Sequence, residues 1–211
     1  LDDWMKANPR VVVLSESRGD PVNPAARCLD RAGRMAFYRN RYREYIAAHY
    51  ADFDNVVVVD MDLHLGWSYD GVANTFGREN WDFVGAYGII RRSFLRQTLL
   101  VHYDAWAFRE KGSYQSLSTK EVNHMSWQRG DPMVEVASCF GGLGIYRTQA
   151  MLSCRYDGSD CEHVTFHRAM RGAGMDRLYL NPSQITFYGM KANNLVRACH
   201  RIGGVFGRRA A

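Results

Sequence analysis

Val56 to His64, "VVVVDMDLH", constrains this chain more than any other stretch. Four consecutive valines are β-branched, fit a pleated surface poorly matched to water, and read as a buried strand. Asp60 and Asp62 follow at its end. In a strand alternate residues share a face, so the two carboxylates point one way, with Met61 and Leu63 opposite. Carboxylates held that close raise each other's pKa unless a cation lies near them. Either they are solvated aspartates opening a loop, or they hold something positive.

The surrounding pattern favours an α/β core. "RVVVLSES" (Arg10 to Ser17) reads as a strand ending in polar residues, and "NPAAR" as a break. "RMAFYRNRYREYIAAHY" follows, with Met35, Tyr38, Tyr42, Ile46 and His49 at helical spacing. Strand, helix, strand is the order of a mostly parallel central sheet flanked by helices. Further on, "YDGVANTF" predicts a short helix, "WDFVGAYGII" a strand, and "MVEVASCFGGLGIY" a strand meeting a Gly-Gly. "CEHVTFHRAMRGAG" predicts a helix stopped by Gly172 and Gly174, and "DRLYLNPSQ" a last strand ended by Pro182. Ser93 to Asp131 is polar, aromatic and irregular, the mark of a functional or mobile loop.

Composition sets outer bounds. The 211 residues, 46% hydrophobic and 23% charged, suit one globular domain. No apolar run approaches the roughly 20 residues that span a bilayer. Five cysteines without a C-x-x-C argue against a disulfide framework and a zinc knuckle, and for a reducing, cytoplasmic compartment. The net charge is +5, and from Arg177 onward there are six cations and no carboxylate. The expected organisation is a domain over residues 1–190 and a basic tail over 191–211. Such a tail suits phosphate groups, including those of a membrane surface touched peripherally.

A hard divalent cation, Mg²⁺ or Mn²⁺, relieves a D-x-D pair, because it takes oxygen ligands and leaves positions for substrate phosphates. Ligands of α/β sheets bind beyond the carboxyl ends of strands, where this pair lies. Two enzyme classes place D-x-D there. Haloacid-dehalogenase-like phosphohydrolases would use Asp60 as nucleophile, but they need a small residue followed by Thr or Val, and here stand Leu63 and His64. GT-A glycosyltransferases use the pair to hold a metal that bridges a nucleoside diphosphate.

The ordered pieces "RMAFYRNRY", "VVVVDMDLH", "WDFVGAYG", "HYDAWAFRE", "VASCFGGLGIYR", "SDCEHVTFHRAM" and "LYLNPSQITFYG" span about Arg34 to Gly189. In that order they resemble the fungal capsule-associated mannosyltransferase family and the GT-A domain of a chlorella-virus glycosyltransferase. The chain departs from the fungal pattern in having Asp-Met-Asp, and "SCFGG" for "SCWNG". The resemblance implies a Rossmann-like GT-A fold. It also implies a base-binding strand before Arg10; only "LDDWMKANP" stands there, so that first strand is expected to be missing.

The resemblance also implies site roles. Asp60 and Asp62 are the metal pair, Asp62 the direct ligand and Asp60 also a contact to the donor. Arg39, four residues after Met35 and three before Tyr42, lies on the apolar helix face and needs a carboxylate partner; the resemblance brings it towards the D-x-D or the donor sugar. Asn40 lies off that face. Gly141 and Gly142 permit close backbone approach, as a turn or as the floor of the donor pocket. Ser159 or Asp160 is the cap of the helix after "SDCEH". Glu162, or else Asp160, would be the base of an inverting transfer; in a retaining one Glu162 would lie under the sugar. Tyr103, Asp104, Trp106 and Arg109 suit a carbohydrate's apolar face and hydroxyls, and His163 joins them as an acceptor contact. His163 and His167, four apart, have metal-binding spacing but no third ligand, which favours packing. His64 shares the face of the D-x-D. Lys191 and the tail arginines would close over the diphosphate.

The expected function is metal-dependent transfer of a hexose or deoxyhexose from a UDP- or GDP-linked donor to a glycan hydroxyl, with no nucleic-acid partner. The alternatives are the phosphohydrolase and a non-catalytic carbohydrate-binding module.

Overall fold

The structure is a computed structural model and describes residues 2–16, 29–63, 65–94 and 97–191. His64, the whole of "NPAAR", Cys28, Cys199 and the basic tail beyond residue 191 lie outside the described residues, as does the Lys191 side chain.

The elements are α1 (Asp2–Ala7), α2 (Leu29–His49), β1 (Asn55–Val59), α3 (Tyr69–Phe76), β2 (Phe83–Phe94), β3 (Gln97–His102), β4 (Arg109–Glu110), α4 (Thr119–His124), β5 (Val134–Ser138), β6 (Leu143–Arg147), α5 (Thr148–Leu152), α6 (Glu162–Gly172) and β7 (Leu178–Lys191). The fold is α/β, with a seven-stranded sheet ordered β1-β6-β2-β7-β5-β4 and β3 joined to β2.

The sheet is mixed rather than mostly parallel. Among the described residues only β2 and β7 pair in parallel; β1–β6, β2–β6, β2–β3, β4–β5 and β5–β7 are antiparallel. The cause lies in "MVEVASCFGGLGIY", which is two strands and not one. β5 lies beside β7 and β6 lies between β1 and β2. The chain steps across both central strands within Cys139–Gly142, and glycine there allows it. Gly141 and Gly142 have φ of +63° and +82°, a region closed to most side chains.

Three more expectations are corrected. Residues 11–16 of "RVVVLSES" form no strand, and Val12 and Leu14 are exposed. Strand propensity alone does not order a backbone whose N–H and C=O groups find no ladder. Nor does Pro182 end the last strand. β7 runs on to Lys191, and its pairing with β2 skips from Asn181 to Ile185. Pro182 sits in this irregularity, where a missing N–H is tolerated. The buried Asn181 and Gln184 side chains fill it, bonding Thr75 Oγ1 at 2.8 and 2.6 Å. The segment read as one loop, Ser93 to Asp131, carries β3, β4 and α4, the last started by a Ser118–Glu121 capping box.

One edge of β2 is shared. β6 pairs with Phe83–Gly85 and β3 with Ile89–Phe94. Between them Ala86 N donates to Phe140 O, and Tyr103 N donates to Gly88 O, both at 3.2 Å. This split brings the ends of β1 and β3 and the glycine crossover together, with α2 and α6 packed against each other beside them. Phe83, Tyr146, Phe166, Val164, Met170, Leu178 and Leu180 form the core beneath, all fully buried.

Candidate functional site

The split edge opens into a cavity of about 330 Å³, the size of a small-ligand site. Arg39, Asp60, Asp62, Tyr103, Asp104, Trp106, Glu162 and His163 all line it, together with Arg31, Met35, Ile90, Ala107, Phe140, Cys161 and Tyr188. Residues 131 apart in sequence, Arg31 and Glu162, thus reach one space only through the sheet.

β1 stops at Val59, so Asp60 and Asp62 are not on one strand face. They lie in the turn that follows, and the turn, not the pleat, aims both at the cavity. Asp60 N donates to Gly142 O at 2.9 Å, which ties the turn to the glycine crossover. Asp62 is exposed. A Cβ on Gly142 would press on Leu63 and Tyr188 at 2.8 and 2.9 Å.

Arg39 is the electrostatic centre. It is 5% exposed, its Nε 3.0 Å from Glu162 Oε1 and its Nη2 3.1 Å from Asp60 Oδ1. Its guanidinium lies 5.0 Å from the Phe140 ring centroid. The helix face that reads as apolar thus carries a cation because α6 and the D-x-D turn supply two carboxylates. Burial still holds Asp60 above the ordinary aspartate range; Arg39 pulls it down, and Asp62 and Glu162 push it up.

Glu162 opens α6, but its charge is spent on Arg39. Its Oε2 accepts only the weak thiol donor of Cys161, at 3.8 Å. The helix cap is Cys161, not Ser159 or Asp160. Asp160 instead accepts from Cys161 N at 2.7 Å and pairs with Arg109 at 3.5 Å, outside the cavity lining. Arg109 is likewise absent from the lining. Its buried guanidinium donates to the carbonyls of Tyr114, Trp106 and Phe108 and braces the loop that bears Trp106.

Asp104 lines the cavity but also has a structural task. Its Oδ2 accepts from the amides of Phe140 and Gly141, both at 2.8 Å, fixing the crossover. Burial pushes its carboxyl up to about 6, against the pull of those amides. Tyr103 packs on Tyr188 with ring centroids 4.0 Å apart. His163 stacks on Phe140 at 3.8 Å, with neither ring nitrogen partnered; burial first, then Arg39 and His167, hold it neutral. His167 belongs to the core, bonded to Ser138 Oγ and Tyr146 Oη at 2.9 and 3.2 Å. Asn40 clamps Tyr156 by its backbone, at 2.9 Å in both directions.

No three His, Cys, Asp or Glu side chains converge as a metal cage among the described residues. Yet the lining has four carboxylates (Asp60, Asp62, Asp104, Glu162) against two guanidiniums (Arg31, Arg39), an excess of two negative charges. That donor set fits a cation such as Mg²⁺ or Mn²⁺, which needs one or two carboxylates and takes its other ligands from water and phosphate.

Arg31 and Tyr188 are the charged and hydroxyl-bearing cavity residues that sequence reading did not single out. Arg31, Met35 and Arg39 are spaced by four, one helix face, so the spacing already contained Arg31. Tyr188 follows the Pro182 irregularity, and a strand read as ending there gives no reason to look beyond it. No family model matches the chain, and no curated protein matches it.

Proposed function

We propose that this chain is a metal-dependent glycosyltransferase of GT-A type, moving a hexose or deoxyhexose from a nucleoside-diphosphate sugar to a carbohydrate hydroxyl. The observation that carries the reading is the convergence, in one cavity, of the D-x-D turn, the Arg39–Glu162 pair and the rings of Tyr103, Trp106 and Tyr188.

Each residue then has a task. Asp62, exposed at the cavity and free of any ion pair among the described residues, holds the divalent ion, with Asp60 behind it. The ion, when bound, stabilises the diphosphate leaving group as a Lewis acid. Arg39 fixes Asp60 and Glu162 relative to each other, so neither must reorganise as the C1–O bond breaks. Tyr103, Tyr188 and Trp106 give the sugar rings to stack against. In an inverting transfer Glu162 Oε2, the oxygen that Arg39 does not bond, takes the proton of the attacking hydroxyl; in a retaining one Glu162 lies under the sugar. The phosphohydrolase is disfavoured by Leu63 and His64, which stand where that class needs a small residue followed by Thr or Val.

Thermal-shift screening of UDP- and GDP-sugars, with and without Mn²⁺, tests this. Stabilisation of several degrees by one donor, only with Mn²⁺ and absent in Asp62→Ala, is the expected result. No metal-dependent stabilisation by any donor would sink the assignment.

A further inference from the structure

The two guanidiniums of the cavity are in opposite states. Arg39 is saturated by two carboxylates. Arg31, two turns earlier on the same face, lines the same cavity and has no hydrogen bond or ion pair among the described residues; its Nε is buried and unpartnered. Its one contact of note is with the indole of Trp106, 5.3 Å from guanidinium carbon to ring centroid. Stacking on a ring leaves a guanidinium's edge N–H groups free for a planar, bidentate acceptor. A partly buried cation with no counter-charge among the described residues is costly unless a further group completes it.

The acids of the cavity do not complete it. Asp60 and Glu162 are held by Arg39, and Asp104 by the Phe140 and Gly141 amides. Among the described residues Asp62 is therefore the unpaired acid of the cavity and Arg31 its unpaired cation.

The geometry points to Arg31, braced by Trp106, as the seat of an oxyanion carried by the ligand: a phosphoryl group of the nucleotide or the carboxylate of an acidic sugar. This rests on the reading of the cavity as a glycosyl-transfer site and adds that one ligand is anionic where it meets α2. A guanidinium suits both anions, because each offers two oxygens in one plane.

Calorimetric titration of the full chain tests it, with pyrophosphate, UDP and GDP in Mn²⁺, free glucuronate, and glucose as the neutral control. In Arg31→Gln at least one anion class should lose about tenfold or more in affinity, as expected for a charge-assisted bond, with glucose unchanged. Loss confined to pyrophosphate and nucleotides assigns the seat to phosphoryl groups; loss confined to glucuronate assigns it to a carboxylate. Arg31→Lys, which keeps the charge but not the fork, should retain only part of the affinity, and it serves if Arg31→Gln does not fold. Wild-type affinity for every anion in both variants, or no anion binding by the wild type, overturns the seat. Arg31-dependent binding of pyrophosphate or glucuronate, with no Mn²⁺-dependent nucleotide binding, keeps the seat and removes the transferase reading.

Discussion

Arg39 shows what a single side chain is asked to do here. Both it and Glu162 are about 5% exposed or less, and each leaves the other charged and dry if removed. Breaking a buried pair on one side costs about 3–5 kcal/mol. Arg39→Gln should therefore lower urea-unfolding stability by that order, and a loss below about 1 kcal/mol would refute the account. Asp62 is the contrast. It is exposed and unpaired among the described residues, so Asp62→Asn should leave stability within about 0.5 kcal/mol while removing Mn²⁺-dependent donor binding. His102 is a third case. It is fully buried in a box of Tyr87, Phe108 and Trp127 rings with both nitrogens unpartnered, and burial lowers its pKa to about 4. The ordinary value is about 6.5, so the folded state resists a proton that the unfolded chain accepts, at a cost of about 2 kcal/mol at pH 5. His102→Phe should remove that increment of acid sensitivity, measured as the difference in unfolding free energy between pH 7 and pH 5.

At the scale of elements, the glycine crossover and the Pro182 irregularity place the site. A Cβ on Gly141 would collide with the Ala86 carbonyl, and the residue has φ +63°. Thr186 Oγ1 and the Asp104-bound amide hold it from two other sides. Gly141→Ala should cost more than about 2 kcal/mol in a denaturation curve, since neither backbone can yield without breaking the ladder; a neutral effect would mean the crossover is not tight. Elements built on local pattern were legible. "YDGVANTF" is α3 residue for residue, and the helix and strand around Met35 and Val56 form where expected. Elements decided by partners were not. Residues 11–16 have strand propensity without a ladder, and β7 passes a proline because a register shift beside β2 excuses its missing N–H.

Over the whole molecule, acid stability follows from buried titratable groups. His102, His163 and His167 are fully buried with lowered pKa values, His167 near 3. Their neutral forms are favoured by folding, so stability is kept above about pH 6.5 and lost progressively below it. Asp104, raised to about 6, works the other way: its strain is relieved as pH falls through 6. Three histidines oppose two aspartates, Asp104 and the likewise raised Asp60, so unfolding free energy should fall from pH 7 to pH 5, and a flat profile there would contradict these environments. The charge pattern is equally uneven, since a chain of net charge +5 encloses a cavity with an excess of two carboxylates. No helix among the described residues is long and apolar enough to cross a membrane.

The sequence by itself determined the α/β class, most helices and strands, the acidic turn after "VVVV", and most of the cavity's polar residues. Those follow from periodicity and residue chemistry, which are local. Only the tertiary structure decided that the sheet is mixed, that Arg39 is the counter-ion of Asp60 and Glu162, that Arg109 and Asp160 face each other outside the cavity, and that Arg31 stands within it unpaired among the described residues. Each of these depends on which strand lies beside which. That choice is made by packing and by backbone groups finding partners more than 80 residues away, such as Asp82 with Arg177, and no local pattern encodes it.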